Sequence, residues 1–159
     1  MRPLTPDDAA FIVELLNDPS FIRNIGDRGV RTEEDARRYI IEGPMSSYAR
    51  HGFGLCAVDL ADAGVSIGIC GLLQRNELSV PDIGFAFLSG YRAQGYAREA
   101  AAAVLDDARM RLGLESVLAI VNPDNTPSIR LLERLGFQFE RLIRLGGEGP
   151  ELQLFARPA

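Results

Sequence analysis

The stretch Arg92-Ala93-Gln94-Gly95-Tyr96-Ala97 has the composition of a loop that binds an anion. It joins an apolar run, Ile83 to Leu88, to a long alanine-rich segment with helical character. Gly95 permits backbone geometry closed to other residues, and the first turn of a helix carries unpaired N–H groups that, with the helix dipole, favour a negative charge. The loop therefore predicts a phosphate site, although a plain strand-to-helix turn would use one glycine in the same way.

A second segment, residues 122–137, places polar residues at the start of a short amphipathic helix. Asn125 and Ser128 stand at its beginning, and Gly136-Phe137 ends it. The apolar residues between them recur at helical spacing, namely Ile129, Leu132 and Leu135. Asn and Ser at a helix start are ordinary capping residues, so their position alone does not assign them chemistry.

The surrounding sequence predicts the elements that hold these two segments. A strand, long helix, strand unit (Ile83–Leu88, Ala97–Leu112 and Val117–Val121) favours a parallel strand pair with a right-handed crossover. It follows an antiparallel hairpin formed by Phe53–Asp59 and Val65–Leu73. We therefore expect an α/β (α+β) fold with a mixed, mostly antiparallel central sheet flanked by about four helices.

Two helices are predicted before the hairpin. The first runs from about Pro6 to Asn17, and the second begins with the capping sequence at Thr32 and is stopped by Gly43-Pro44. The segment between them, Phe21 to Arg31, is expected to be a loop. Since only four residues precede Thr5, the first strand is expected to be short.

Composition limits the classes of function. The chain has 159 residues, which suits a single domain spanning 1–159, and its formal net charge of −5 argues against a nucleic-acid-binding surface. It contains neither a run of about 18 apolar residues nor an apolar leader, so we expect a cytoplasmic protein without membrane association. His51 is the only histidine, which disfavours metal chemistry, and Cys56 and Cys70 are expected to be free thiols.

Together, the two segments resemble the GNAT superfamily of N-acetyltransferases, especially its ribosomal-protein N-acetyltransferase-like branch. In that family an Arg/Gln-x-x-Gly-x-Gly/Ala loop binds the pyrophosphate of acetyl-CoA, and residues 92–97 match it with Ala97 in the last place. The later Asn-x-x-Ser, with Leu135-Gly136-Phe137 after it, is similar to the family's second cofactor segment. The order of elements agrees across nearly the whole chain.

The resemblance implies where acetyl-CoA binds. The cofactor would thread between two splayed parallel strands, Ile83–Leu88 and Val117–Val121, and pair its pantetheine amides with backbone groups. Residues expected to bind it are Phe87 and Leu88 through that pairing, Gln94, Gly95, Tyr96, Ala97 and Arg98 through backbone amides at the pyrophosphate, Arg92 and Arg98 through charge, and Asn125 near the bend of the pantetheine arm. No metal is expected, and the resemblance is compatible with a monomer or a homodimer.

The implied reaction is direct attack of a primary amine on the acetyl carbon. Asp82, at the start of the strand that presents the acetyl group, is the candidate general base, directly or through a water molecule. Glu77 is the competing base, and an Asp after a proline is also an ordinary turn residue. Many relatives carry a tyrosine as acid four residues before the Gly-Phe pair, but this chain has Leu132 there. Ser128 is the expected substitute, with Tyr96 as another possible donor.

The acceptor is an amine on a peptide N-terminus or on a small molecule. Four acidic residues near the predicted acceptor side hint at a cationic acceptor, namely Asp18, Asp27, Glu33 and Glu34. A catalytically silent acyl-CoA-binding module is the alternative, since it would need Gly95 and Asn125 but neither Asp82 nor Ser128. A dinucleotide-binding domain is disfavoured because the loop has one glycine where three are expected.

Overall fold

Seven strands form one mixed sheet in the computed structural model, which describes residues 1–159. The strands are β1 (Arg2–Pro3), β2 (Leu55–Asp59), β3 (Ser66–Leu73), β4 (Asp82–Phe87), β5 (Ser116–Val121), β6 (Gln138–Ile143) and β7 (Leu152–Pro158). Their order across the sheet is β1-β2-β3-β4-β5-β7-β6. Every neighbouring pair is antiparallel except β4 and β5, which are parallel. The predicted mixed, mostly antiparallel sheet is confirmed.

Six α-helices surround the sheet, more than the four expected. They are α1 (Ala9–Leu16), α2 (Pro19–Asn24), α3 (Glu33–Ile40), α4 (Ser46–His51), α5 (Tyr96–Met110) and α6 (Thr126–Arg134). A 3₁₀ turn, Pro6–Asp8, leads into α1. The predicted helices near Pro6–Asn17 and Ala97–Leu112 therefore exist with boundaries shifted by one to three residues.

The segment expected to be a loop, Phe21–Arg31, is helical over its first part. Asp18 caps α2 by accepting a 2.9 Å hydrogen bond from the Ser20 N–H, and Pro19 occupies the first helical position, where its missing N–H costs nothing. This capping signal is sufficient for a helix of six residues. A helix of that length is too short to show the apolar periodicity by which longer helices are predicted.

The predicted stop at Gly43-Pro44 is also wrong. The chain passes through these residues in one wide π-helical turn, Ile41–Met45, and continues directly into α4. The Ser46 N–H bonds to the carbonyl of Ile41 across this turn. A proline normally breaks a helix because it lacks an N–H and its ring clashes with the preceding turn, and a locally wider turn accommodates it.

Helices cover both faces of the sheet. Adjacent residues of β3 belong to different cores, since Ile69 packs with α1 and α3, whereas Cys70 packs with α5. Successive strand residues point to opposite faces, so α1 and α3 lie on one face and α5 on the other. The side chains that α5 buries in this core are Ala100, Ala101, Val104, Leu105 and Ala108. This packing fixes the N-terminus of α5 beside the end of β4.

The first strand is short, as expected. β1 has two residues, and Arg2 fastens it by donating to Asp8 at 2.7 Å and to Asp59 at 2.8 Å. These ion pairs raise the pKa of the Arg2 guanidinium and lower the pKa of the Asp8 carboxyl. The largest cause of both shifts is the side-chain hydrogen bond between Arg2 and Asp8. A two-residue edge strand is thus anchored by side chains rather than by length.

Candidate functional site

The parallel strands β4 and β5 separate almost as soon as they meet. Their only paired position joins Asp82 to Leu118, and the Leu118 N–H donates to the carbonyl of Pro81 at 3.0 Å. By contrast, β4 pairs with β3 over six residues and β5 pairs with β7 over six residues. The sheet therefore opens between the C-terminal parts of β4 and β5, which are its two central strands.

The register of β4 identifies which backbone groups face this opening. The Leu88 N–H donates to the Ile67 carbonyl at 2.9 Å, and hydrogen-bonded and non-bonded positions alternate along an antiparallel pair. The backbone groups of Phe85 and Phe87 therefore point away from β3 and into the opening. Leu88 offers neither of its groups, because its carbonyl accepts from the Tyr91 N–H at 3.0 Å.

The loop before α5 exposes a run of amides at the end of β4. Gly95 adopts φ +88° and Ala93 is the only residue other than glycine with a positive φ, at 58°. The first hydrogen bond of the helix runs from the Glu99 N–H to the Gly95 carbonyl at 3.1 Å. No amide from Gln94 to Arg98 donates to another group of the chain. The Gln94 side chain holds the turn by donating to the Gly90 carbonyl at 2.9 Å.

Gly95 is required for its conformation and not for lack of room. A Cβ built on it would meet no atom of the chain within 4 Å, so the space beside it is open. A left-handed backbone that aims successive N–H groups outwards at a helix N-terminus forms a concave site for an anion. The loop therefore has the geometry expected of a phosphate site.

The two arginines of the loop differ in their partners. Arg92 is engaged by the protein itself, since its Nε donates to the Phe87 carbonyl at 2.9 Å and its Nη2 donates to Asp18 at 2.9 Å. Arg98, in the first turn of α5, is exposed and makes no hydrogen bond or ion pair. Tyr96 and Ala97 pack against the core under α5. Of the loop cations, Arg98 is the one available to a ligand.

Asn125 and Ser128 lie together at the N-terminus of α6. Asn125 is the cap residue, and its Oδ1 accepts from the Ser128 N–H at 3.4 Å. The capping role considered from the sequence is therefore real. It occupies the amide oxygen of Asn125 and leaves the NH₂ group and the Ser128 hydroxyl without a partner in the chain.

A central cleft of about 880 Å³ connects these features. Its walls include Asp82, Asn125 and Ser128, together with β4 residues 83–86 and β5 residues 119–121. Side chains of both sheet faces contribute, which means that the cleft passes through the opening between the strands. Leu132, which stands at the position of the tyrosine acid in many relatives, is only 2% exposed and belongs to the core.

Asp82 is buried at the base of this cleft and is paired with Arg75. The Arg75 Nε lies 2.9 Å from Oδ1 and 3.1 Å from Oδ2, and the aspartate residue is 2% exposed. Burial raises the pKa of the Asp82 carboxyl, and the Arg75 charge opposes that rise. Glu77, the competing base, is exposed and does not line the cleft. Arg75 was not anticipated from the sequence.

The four acidic residues that hinted at a cationic acceptor are all paired with arginines. Asp18 pairs with Arg92, and the other three form i,i+4 pairs, which are Asp27–Arg31, Glu33–Arg37 and Glu34–Arg38. None of the four lines the cleft. The charged residues that sequence reasoning missed on this side are Arg23, Arg28 and Arg50, which come from two separate segments and carry no shared motif.

No group of three or more His, Cys, Asp and Glu side chains is arranged to hold a metal ion. None of the helices combines the length and the apolar character needed to cross a bilayer.

Comparison with known proteins identifies the family of this chain. The family model described as an acetyltransferase (GNAT) domain matches residues 1–138. A Bacillus licheniformis protein, described as uncharacterized N-acetyltransferase p20, is 38% identical over 152 residues, covering 91% of this chain and 81% of that protein.

Solved structures share the fold. The ribosomal-protein-alanine N-acetyltransferase of Brucella melitensis superposes with a TM-score of 0.77 at 17% identity, covering 99% of this chain and 98% of that one. The yncA protein of Salmonella typhimurium, solved with its cofactor acetyl-CoA, gives a TM-score of 0.75 at 18% identity, covering 99% and 91%. At these identities the likeness concerns the fold.

Proposed function

The chain belongs to the GNAT acetyltransferase family, and we propose that it is an N-acetyltransferase that moves the acetyl group of acetyl-CoA to a primary amine by direct attack. Acetyl-CoA-dependent acetyl transfer is the general activity of that family. The primary amine is the N-terminus of a peptide or an amine of a small molecule. The same proposal includes a single domain and a cytoplasmic location. It also includes action as a monomer or homodimer, without nucleic acid, membrane or metal.

One observation carries the proposal. A run of unpaired backbone amides, Gln94 to Arg98, lies at the N-terminus of α5, directly after the strand that borders the opening in the sheet. The amides fit a pyrophosphate, and Arg98 adds a free cation beside them. The opening offers backbone groups of Phe85 and Phe87 to an arm that carries amides.

The residues at the far side of the opening fit the remainder of the cofactor. The NH₂ group of Asn125 is free to donate because only its oxygen is used in capping. The Phe87 N–H faces the opening and is the candidate to polarise the thioester carbonyl, whereas its carbonyl is occupied by Arg92. Bound acetyl-CoA supplies the acetyl group as a thioester.

Asp82 is the proposed general base. It lines the cleft on the strand that borders the opening, and burial raises the pKa of its carboxyl, which makes the carboxylate a stronger base than an exposed one. The Arg75 charge opposes that rise. As the amine nitrogen bonds to the acetyl carbon, Asp82 accepts the proton that the nitrogen loses, directly or through water.

Ser128 is the proposed proton donor or relay to the departing sulfur. Coenzyme A leaves as a thiol, and a thiol titrates near pKa 8.5, so protonation is worth only about 1–2 kcal/mol at neutral pH. Because so little stabilisation is needed, a hydroxyl at the N-terminus of α6 that relays a proton from water is sufficient to protonate the sulfur. An acceptor α-amine, with a pKa near 8, is about 3 kcal/mol easier to deprotonate than a lysine amine near 10.4, so an α-amine suits these modest groups better.

The test combines calorimetric titration of acetyl-CoA with a screen of amines and peptides read out by free thiol. Tight binding of acetyl-CoA and thiol release with an amine support the proposal. Binding without thiol release from any amine favours the catalytically silent acyl-CoA-binding module. Absence of acetyl-CoA binding contradicts both functions.

A further inference from the structure

Three arginines surround the mouth of the central cleft. Arg23 lies on α2, Arg28 follows that helix, and Arg50 lies on α4, yet all three line the cleft that also contains Asp82 and Ser128. The loop that fits the pyrophosphate, residues 92–98, is not part of the cleft wall. We call Arg23, Arg28 and Arg50 the arginine rim.

The rim has no internal counter-charge. None of its three guanidinium groups forms an ion pair or donates a hydrogen bond within the chain. The nearest acidic residues along the chain are held elsewhere, because Asp18 pairs with Arg92 and Asp27 pairs with Arg31.

The base of the cleft does not neutralise the rim either. Asp82 is paired with Arg75, which leaves Glu42 as the one acidic side chain of the cleft wall without an arginine partner. The whole protein has a formal net charge of −5. The positive charge of the arginine rim is therefore local and opposite in sign to the net charge. Low-dielectric walls lined by one sign of charge focus the field and concentrate ligands of opposite charge.

The position of the rim relates it to the amine acceptor. Tyr39 lines the same cleft as Arg28, and the Arg28 charge opposes the burial that raises the pKa of the Tyr39 hydroxyl. α2 contributes Phe21 to the core that it shares with α1 and α3, and its cap residue Asp18 pairs with Arg92 of the phosphate-binding loop. A molecule held by the rim lies in the same cleft as Asp82 and Ser128, and the amides of residues 94–98 do not line that cleft.

We propose, as a deepening of the function above, that the acceptor is an amine that carries carboxylate groups close to the reacting nitrogen, and that the arginine rim binds those carboxylates. Guanidinium groups pair with carboxylates through two parallel hydrogen bonds, and all 17 basic residues of the chain are arginines. The acidic N-terminus of a peptide and a free acidic amino acid share this chemistry. A cationic acceptor is repelled by the rim.

The test is calorimetry with coenzyme A already bound, so that acceptor binding is measured without turnover. The probes are the peptides Ala-Glu-Glu-Glu and Ala-Gln-Gln-Gln, followed by free glutamate and free glutamine. We expect the acidic peptide to bind about tenfold more tightly than its neutral partner, a difference of about 1.4 kcal/mol. The preference should disappear as salt rises from about 0.05 M to about 0.5 M. The free amino acids decide whether one acidic residue is enough or a peptide is needed.

Substitutions assign the effect to the rim. Arg28→Gln and Arg50→Gln should each weaken binding of the acidic peptide about threefold, as is typical of exposed ion pairs, and leave the neutral peptide unchanged. Arg109→Gln is the matched control, because Arg109 is an exposed, unpaired arginine on α5 outside the cleft. Arg28→Glu should reverse the preference in favour of a peptide with lysines.

Three results would overturn the inference. They are equal binding of the acidic and neutral peptides, an equal loss in Arg109→Gln, and a loss of coenzyme A affinity in the rim variants, which would assign the rim to phosphates of the cofactor. These results are distinct from failure of the proposed function, which would appear earlier as absence of coenzyme A binding or of thiol release.

Discussion

Arg75 contacts both carboxylate oxygens of Asp82, at 2.9 and 3.1 Å, at the single point where the parallel strands β4 and β5 are paired. The same pair therefore marks the end of the sheet opening and supplies the base proposed for catalysis. Burial disfavours the ionised carboxyl, and the guanidinium offsets that penalty. Most of the expected pH behaviour follows from this balance.

Arg75→Gln should move the acid limb of the pH–rate profile to higher pH. Removing the cation leaves burial unopposed, so the Asp82 pKa rises further and the base becomes protonated at a higher pH than in the wild type. The profile of kcat/KM against pH measures this shift, and Asp82→Asn should lack that limb. An unchanged limb in Arg75→Gln would exclude Asp82 as the base.

The same variant should lose stability in a pH-dependent way. Breaking a buried ion pair by removing one partner costs about 3 kcal/mol when the survivor stays charged. A carboxyl with a raised pKa stabilises the folded state when protonated, at low pH, and loses that contribution as pH rises through its folded pKa. Urea unfolding of Arg75→Gln should therefore show a smaller loss at mildly acidic pH than at neutral pH.

Gly95→Ala should weaken acetyl-CoA binding at least tenfold. The new methyl group clashes with nothing in the chain but occupies the open space beside the phosphate-binding amides, at a backbone angle that costs about 1 kcal/mol for alanine. Gly113→Ala is the matched control, since Gly113 has φ +64° and equally open surroundings at the other end of α5. Calorimetry should show a loss for Gly95 only, whereas both variants should lose similar stability.

Asn125 offers a test that separates capping from cofactor binding. Asn125→Asp keeps an oxygen for the Ser128 N–H and replaces the NH₂ donor with a second carboxylate oxygen, so stability should be retained while acetyl-CoA affinity falls about threefold to tenfold. Asn125→Ala should lose both, with about 1 kcal/mol of stability for the cap. Wild-type affinity in Asn125→Asp would show that the residue is a cap alone.

Ser128→Ala should lower kcat about tenfold with little change in KM for acetyl-CoA. This corresponds to the 1–2 kcal/mol, roughly, that protonation of a thiol leaving group is worth at neutral pH. Thr126→Ala, two residues earlier on α6 and outside the cleft, should retain wild-type rates. A wild-type rate for Ser128→Ala at every pH would remove Ser128 from the proton transfer.

Arg98→Gln and Arg92→Gln should affect different properties. Arg98 is free, so its loss should weaken acetyl-CoA binding about threefold and reduce the salt dependence, with stability unchanged. Arg92 joins the Phe87 carbonyl to Asp18, so its loss should lower the unfolding temperature as well. Equal effects of the two variants on affinity would contradict this division.

Features that depend on a few neighbouring residues could be predicted from the sequence alone. The loop around Gly95, the cap at Asn125, the long helix after the loop and the hairpin before it were all predicted, because φ preference, capping and apolar periodicity act within one or two turns of chain. The short α2 and the passage through Gly43-Pro44 were missed, since a six-residue helix and a single π turn lack a periodic signal.

The tertiary structure decided which distant residues meet. Arg75 reaches Asp82 because β3 and β4 pair in one register, and Arg23, Arg28 and Arg50 converge because two short helices fold over the same cleft. The acidic residues that suggested a cationic acceptor instead form ion pairs with arginines of the same chain. Local sequence encodes conformation, but the sign of the charge that a cleft presents depends on long-range packing and on which ion pairs that packing has already formed.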